Sequence, residues 1–147
     1  MSFRENFGRF LLVTICVLSA ISMLKDPKAN EKLLKDGYSR SFAHAKDYNL
    51  TLPLTPQQLS LCSEEIIYLT SGLLLLGSFF IVFKVRIGSC ILISLLSSFC
   101  VFIHNPSLYS KDKEIFSQAY QSLLNMGLIA GLLLTCQANT QEKLKVE

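Results

Sequence analysis

Apolar residues fall into four long runs, at residues 7–24, 66–83, 87–103 and 120–136, separated by polar stretches of very different length. The second and third runs carry no charge and are joined by a basic elbow, Lys84-Val85-Arg86; the third is closed by His104-Asn105-Pro106. Each run has roughly the 17 to 25 residues that a helix needs to cross about 30 Å of hydrocarbon. The runs are apolar all round instead of striped, the pattern of a helix surrounded by other apolar material on every side. A short elbow between two such helices forces them antiparallel. The pattern predicts an all-α, integral-membrane four-helix bundle made of two antiparallel helical hairpins, a single domain over residues 1–147.

The polar stretches add detail. Residues 25–65 form the one long connection. Pro27 at a helix start, Ala29, Leu33 and Leu34 at helical spacing and Gly37 as a stop predict a short amphipathic surface helix, with Lys28, Lys32 and Lys35 toward the headgroups or water. Further on, Thr55-Pro56-Gln57-Gln58 reads as an N-cap, a first-turn proline and the third member of a capping box, so the second long helix is expected to start near Pro56. Residues 107–122 read as a polar loop, and residues 137–147 as a polar tail without an obvious fold. Asn49-Leu50-Thr51 is a glycosylation sequon, relevant only if the long loop faces a secretory lumen. Four spans place both termini on one side of the membrane. The tight basic elbow marks that side as matrix or cytosol.

Composition agrees with a lipid-surrounded chain: 147 residues, 50% hydrophobic, mean hydropathy +0.40. The 14 Lys and Arg give a net charge of +3 but lie scattered between apolar segments, which speaks against a nucleic-acid partner. Five cysteines, Cys16, Cys62, Cys90, Cys100 and Cys136, form no CxxC pair and read as small hydrophobes, not as a disulfide framework or a zinc site. Residues 7–24 resemble a signal peptide, but Ser22-Met23-Leu24-Lys25 offers no small-x-small cleavage site, so the run is kept as the first span. Met1-Ser2-Phe3-Arg4 is too short a start for a transit peptide. Arg9, inside the first span, is expected to snorkel to the headgroups, with Lys84 and Arg86 facing them from the elbow.

Lipid gives helices no hydrophobic reason to associate, so small residues at helical spacing mark the packing faces. These are Cys16 and Ala20 in the first span, Gly72 and Gly77 in the second, Cys90, Ser94 and Ser98 in the third, and the Gly127-x-x-x-Gly131 motif in the fourth. Antiparallel geometry gathers one polar group at the long-loop end of the spans: Glu65 with Glu64 and Tyr68, His104, and Gln121 with Asn125. A histidine near a carboxylate at that depth suits proton relay or a quinone headgroup; the same residues equally suit ordinary helix ends meeting water. There is no HExxH, Gly-rich phosphate loop, Ser/His/Asp set or His pair at haem spacing, and no charge within the last three spans. The expectation is a non-enzyme with no metal or cofactor, surrounded by bound phospholipid, with no soluble small-molecule substrate.

Gly8-Arg9-Phe10-Leu11-Leu12, Gly72-Leu73-Leu74-Leu75-Leu76-Gly77, Arg86-Ile87-Gly88, His104 and the stretch Leu124-Asn125-Met126-Gly127-Leu128-Ile129-Ala130-Gly131 together resemble the DoxX family. The related surfeit-locus cargo-receptor family shares much of the pattern. The resemblance covers all four spans in order and matches least in the long first loop; only Arg9, Glu65 and His104 fall on polar positions of the family pattern. It implies a four-helix membrane bundle, and for DoxX relatives an association with quinone and thiol redox complexes. Three functions are therefore expected in turn. The first is a non-catalytic accessory subunit of a larger membrane complex, its partners being other membrane subunits, in the mitochondrial respiratory chain of the inner membrane. The second is a redox subunit using quinone near His104 and Glu65, and the third a cargo receptor of the endoplasmic reticulum. The tail Lys143-Leu144-Lys145-Val146-Glu147 lacks the lysine-rich retrieval ending of the third.

Overall fold

The computed structural model describes the backbone of residues 3–144 and the side chains of residues 6–136, and among the described residues it is helical with no strand. Six α-helices follow in order: α1 Phe3–Lys25, α2 Pro27–Asp47, α3 Pro56–Leu61, α4 Ser63–Val82, α5 Arg86–Phe102 and α6 Asp112–Leu144, with a single 3-10 turn at Pro106–Leu108. Four segments are long and apolar enough to cross a membrane: Asn6–Lys25, Ser63–Val82, Arg86–Leu108 and Asp112–Cys136. They overlap the four apolar runs, the last starting at Asp112 instead of residue 120. α1 packs on α4, α4 on α5, α5 on α6, and α6 returns to α1, while α2 lies across α4, α5 and the 3-10 turn.

The elbow between α4 and α5 is built from backbone. Val85 N–H donates to Phe80 O (2.9 Å) and Lys84 N–H to Ile81 O (3.0 Å), the paired bonds of a Schellman cap, with Lys84 in the left-handed region at φ 59°. Just beyond the turn the two helices touch backbone to backbone. A Cβ on Gly88 would stand 2.6 Å from Gly77 O and 2.7 Å from Phe80 Cβ, and one on Gly77 would stand 2.7 Å from Leu92 Cδ2. The core continues from this contact through Cys16, Ala20, Leu74, Ile81, Leu92, Leu96 and Leu132.

The long connection departs from expectation. α2 does not stop at Gly37 but runs to Asp47. Gly37 is there for approach: a Cβ would stand 3.0 Å from Ile103 Cα and 3.1 Å from Phe102 O, so α2 can lie directly on the end of α5 only because the side chain is missing. The helix ends instead in a second Schellman cap, with Asn49 at φ 56° and the bonds Leu50 N–H to Ala45 O (2.9 Å) and Asn49 N–H to Lys46 O (3.0 Å). A second cluster, Leu34, Tyr38, Leu59, Ile67 and Ile103, fills the space beneath α2.

The restart at Thr55 has the expected capping box: Gln58 N–H donates to Thr55 Oγ1 (3.3 Å) and Thr55 N–H to Gln58 Oε1 (2.9 Å). That helix is not continuous with the span, however. α3 closes after six residues at Cys62 and α4 begins at Ser63. The last helix departs in the other direction. Asp112 to Ser122 is helical instead of a polar loop, and α6 runs 33 residues to Leu144 through the start of the supposed tail. Residues 145–147 lie outside the described residues.

Candidate functional site

The packing residues divide into two kinds. Cys16 and Ala20 are buried at 2% and 0% exposure. Gly77 meets Leu92, and Gly131 meets Leu12 at 3.1 Å. Gly72 and Gly127, by contrast, are exposed, and a Cβ on either would meet nothing within 4 Å. Cys90, Ser94 and Ser98 also lie on the outside; the buried face of α5 is Gly88, Ser89, Leu92 and Leu96. Small residues at i, i+4 define a face of a helix but not which neighbour, if any, covers it. Arg9 also corrects its expectation: it is 6% exposed, beside Phe10, Val13, Val82 and Lys84, because α1 and α4 pack together as far as the elbow and cover its stem. Lys84 and Arg86 are exposed.

At the long-loop end the structure assembles a different polar group from the one expected. His104 Nδ1 lies 2.8 Å from Gln118 Oε1. Glu65 is exposed on α4, Tyr68 is 48% exposed, and neither lines the space that His104 lines; Asn125 is half-buried one helical turn beyond Gln121, also outside it. That space is a cavity of about 580 Å³ between the end of α1, the start of α4 and the end of α5, with α2 across it and Gln121 reaching it from α6. Apolar walls come from Ile15, Leu34, Ile66, Ile67, Phe99 and Ile103; the polar lining is Ser19, Ser22, Asn30, Thr70, His104 and Gln121. None of its lining residues is Asp, Glu, Lys or Arg.

Thr70 and Gln118 were not singled out in the sequence. Thr70 sits inside an apolar run and only its burial, 8% exposure, reveals its place. Gln118 did leave a trace: Gln118, Gln121 and Asn125 stand at i, i+3 and i+7, one polar stripe on what proves to be a continuous helix. Reading residues 107–122 as a loop hid it.

α2 is held over this end by hydrogen bonds. Ser63 Oγ donates to Glu31 Oε1 (2.6 Å), which also pairs with Lys35 Nζ (2.6 Å). Tyr38 OH donates to Leu54 O (2.9 Å) and Ser41 Oγ to Phe102 O (3.0 Å). The bonds from Lys35 and Ser63 hold the Glu31 carboxyl below its usual range. On the far edge, the Arg40 guanidinium lies 4.2 Å over the Tyr109 ring and 3.7 Å from Glu114, and Tyr109 OH donates to Ile103 O (3.1 Å). Burial pushes the Tyr109 phenol up, against the opposing pull of Arg40. No group of three or more His, Cys, Asp or Glu among the described residues could hold a metal ion.

The described residues define an all-helical chain with four helices that fit a multi-pass membrane protein. Compared with protein-family models, with curated proteins and with solved structures, the chain finds no match.

Proposed function

We propose that the chain is a membrane-embedded four-helix bundle serving as a non-catalytic accessory subunit of a larger membrane assembly. One observation carries this reading. Gly72 on α4, Gly127 on α6 and the Cys90, Ser94 and Ser98 stripe on α5 are small residues on the outside of apolar helices, and a Cβ on either glycine would meet none of the described residues within 4 Å. In lipid, a small-residue face has value where another helix approaches it closely. The remaining outer surface supports the membrane setting: Phe10, Leu69, Phe79, Val101 and Leu134 are each more than half exposed on the four spans. The small size of the chain and its small-residue helix faces direct the first search to the respiratory complexes of the mitochondrial inner membrane. The redox alternative needs Glu65 beside His104, and Glu65 lies outside the cavity. The cargo-receptor alternative needs the exposed Asn49 to acquire a glycan in the endoplasmic reticulum.

The test is extraction in mild detergent, separation on a native gel and mass spectrometry of whatever migrates with the chain. Migration in a large particle with defined partner subunits is expected. Gly127→Leu and Gly72→Leu are expected to release the chain from that particle while its own helical content and monodispersity stay unchanged, because both positions are exposed and a Cβ there meets none of the described residues within 4 Å. Wild-type chain running as a monomer or small dimer sinks the reading.

A further inference from the structure

Charge is unevenly placed along the chain. Segments 1–24, 84–86 and 137–147, which chain order assigns to the elbow end of the four spans, hold six of the 14 Lys and Arg but three of the 11 Asp and Glu. The segments assigned to the long-loop end hold eight of each. The whole net charge of +3 therefore belongs to the elbow end.

At that end α1 and α4 leave a cleft of about 220 Å³, lined by Asn6, Arg9, Phe10, Val13, Val82 and Lys84. Among these described residues two are cations and none is an acid. Arg9 is 6% exposed, and a guanidinium so buried is costly unless acceptors surround it. Its five N–H donors can serve an acceptor of the chain and an oxygen of a ligand together. Lys84 lines the cleft from a costly backbone position, since φ 59° lies in the left-handed region that glycine occupies freely and lysine does not. A cleft this small holds an anion within direct Coulomb reach of both cations.

The setting selects among anions. Arg9 stands near the start of the candidate span Asn6–Lys25, and Lys84 two residues past the end of Ser63–Val82, so the cleft lies at the depth of lipid headgroups. Phe10 and Val82, 65% and 61% exposed, carry its rim onto the outer surface of α1 and α4. Cations above an apolar flank match a phosphate above its acyl chains. A zwitterionic phospholipid brings an ammonium of its own into a field that is already positive, and an anionic one does not.

We infer that this cleft binds the phosphate of an anionic phospholipid, with Arg9 and Lys84 at the headgroup and Phe10 and Val82 against an acyl chain. The inference rests on the membrane setting of the proposed function but not on assembly with partners.

The test is native mass spectrometry of the full chain released from uncharged detergent micelles, titrated in parallel with palmitoyl-oleoyl phosphatidylglycerol, the phosphatidylcholine of the same chains, and soluble glycerol phosphate. Phosphatidylglycerol is expected to bind about tenfold more tightly than phosphatidylcholine and to be displaced only weakly by glycerol phosphate. Lys84→Gly removes one cation and relieves the left-handed backbone, so phosphatidylglycerol affinity should fall about fivefold while thermal stability in detergent holds or rises. Misfolding cannot produce that combination. Arg9→Gln should cost about tenfold, and Arg9→Lys, which keeps the charge, should recover part of the loss. Lys111→Gln removes the same charge at the long-loop end and should leave affinity unchanged. Equal affinity for the two lipids, indifference to Lys84→Gly, affinity lost only together with stability, or an equal loss in Lys111→Gln overturns the proposal; full displacement by glycerol phosphate overturns the lipid as its source. A chain that stays in solution without detergent overturns both this inference and the membrane setting. Phosphatidylglycerol selectivity in a chain that migrates alone on the native gel upholds this inference against the subunit reading.

Discussion

The two ends of the α4–α5 hairpin are held in opposite ways. At the elbow, backbone meets backbone: Gly88 and Gly77 let the helices touch. At the long-loop end a cavity lies among α1, α4 and α5, and a further element, α2, is hydrogen-bonded to α5 through Ser41 and to α4 through Glu31. The difference follows from the residues at each end, since both lie beside polar turns. Where two glycines face each other, the helices gain close van der Waals contact. At the other end α2 supplies the hydrogen bonds that hold it as a lid against α4 and α5.

The largest effect should come from breaking the elbow. Gly88→Ala places a methyl 2.6 Å from Gly77 O and 3.0 Å from Ile81 N, backbone atoms that can yield only by moving a helix. A loss of about 3 kcal/mol is expected on unfolding by sodium dodecyl sulfate titration, the upper part of the range for overpacking. Gly72→Ala is the matched control on the same hairpin: its methyl meets nothing within 4 Å, and the stability should change by less than about 0.5 kcal/mol. Equal losses in the two variants would refute the account of the elbow.

At the lid end the corresponding change is Gly37→Val. The added side chain begins 3.0 Å from Ile103 Cα and 3.1 Å from Phe102 O. Here α2 can lift without disturbing the spans, so the expected cost is about 1 to 2 kcal/mol, confined to α2. Hydrogen exchange should accelerate across residues 27–47 while amides of α4 and α5 keep their protection. Loss of protection throughout the chain would mean that α2 is part of the main core and not a lid.

These contrasts also explain what could be read from the sequence. The four long apolar helices were legible because length and a low density of charge suffice to mark them. Glycine was ambiguous in both directions. Gly37 resembles a helix stop, yet is there for contact with Ile103, and Gly72 resembles a packing residue, yet faces outward. The partner of Gly77 proved to be Gly88, on the other side of the elbow, and no spacing rule within one helix could pair them. The polar group at the long-loop end was placed at the correct end of the molecule, but its membership changed: His104 and Gln121 remain, Glu65 and Tyr68 turn outward, and Thr70 joins from an apolar run where one hydroxyl attracts no notice.

The gentlest probe of the comparison is pH, which should reach the lid and leave the elbow alone. Glu31 accepts from Ser63 and pairs with Lys35 four residues on, the favourable order for a helix dipole. These bonds hold its carboxyl below the usual 4.5. A group whose folded value is depressed contributes its full stabilisation above the unfolded value and loses it as the pH falls through the folded one. The lid should therefore be tightest at neutral pH and loosen as the medium is acidified below about 4.5, seen as faster exchange across residues 27–47 after correction for intrinsic rates. Because the pair is solvated, the effect is expected to be the smallest of the series. Glu31→Gln isolates the contribution of this carboxylate. The amide oxygen still accepts from Ser63, the Lys35 ion pair is gone, and α2 should exchange slightly faster at pH 7 with a flatter response to acid. Glu31 makes its contacts at the opposite end, to Lys35 and Ser63, so exchange at the elbow should be the same in both chains. An elbow that loosens in step with α2 would show that the two ends are one cooperative unit, and the distinction drawn between them would fail.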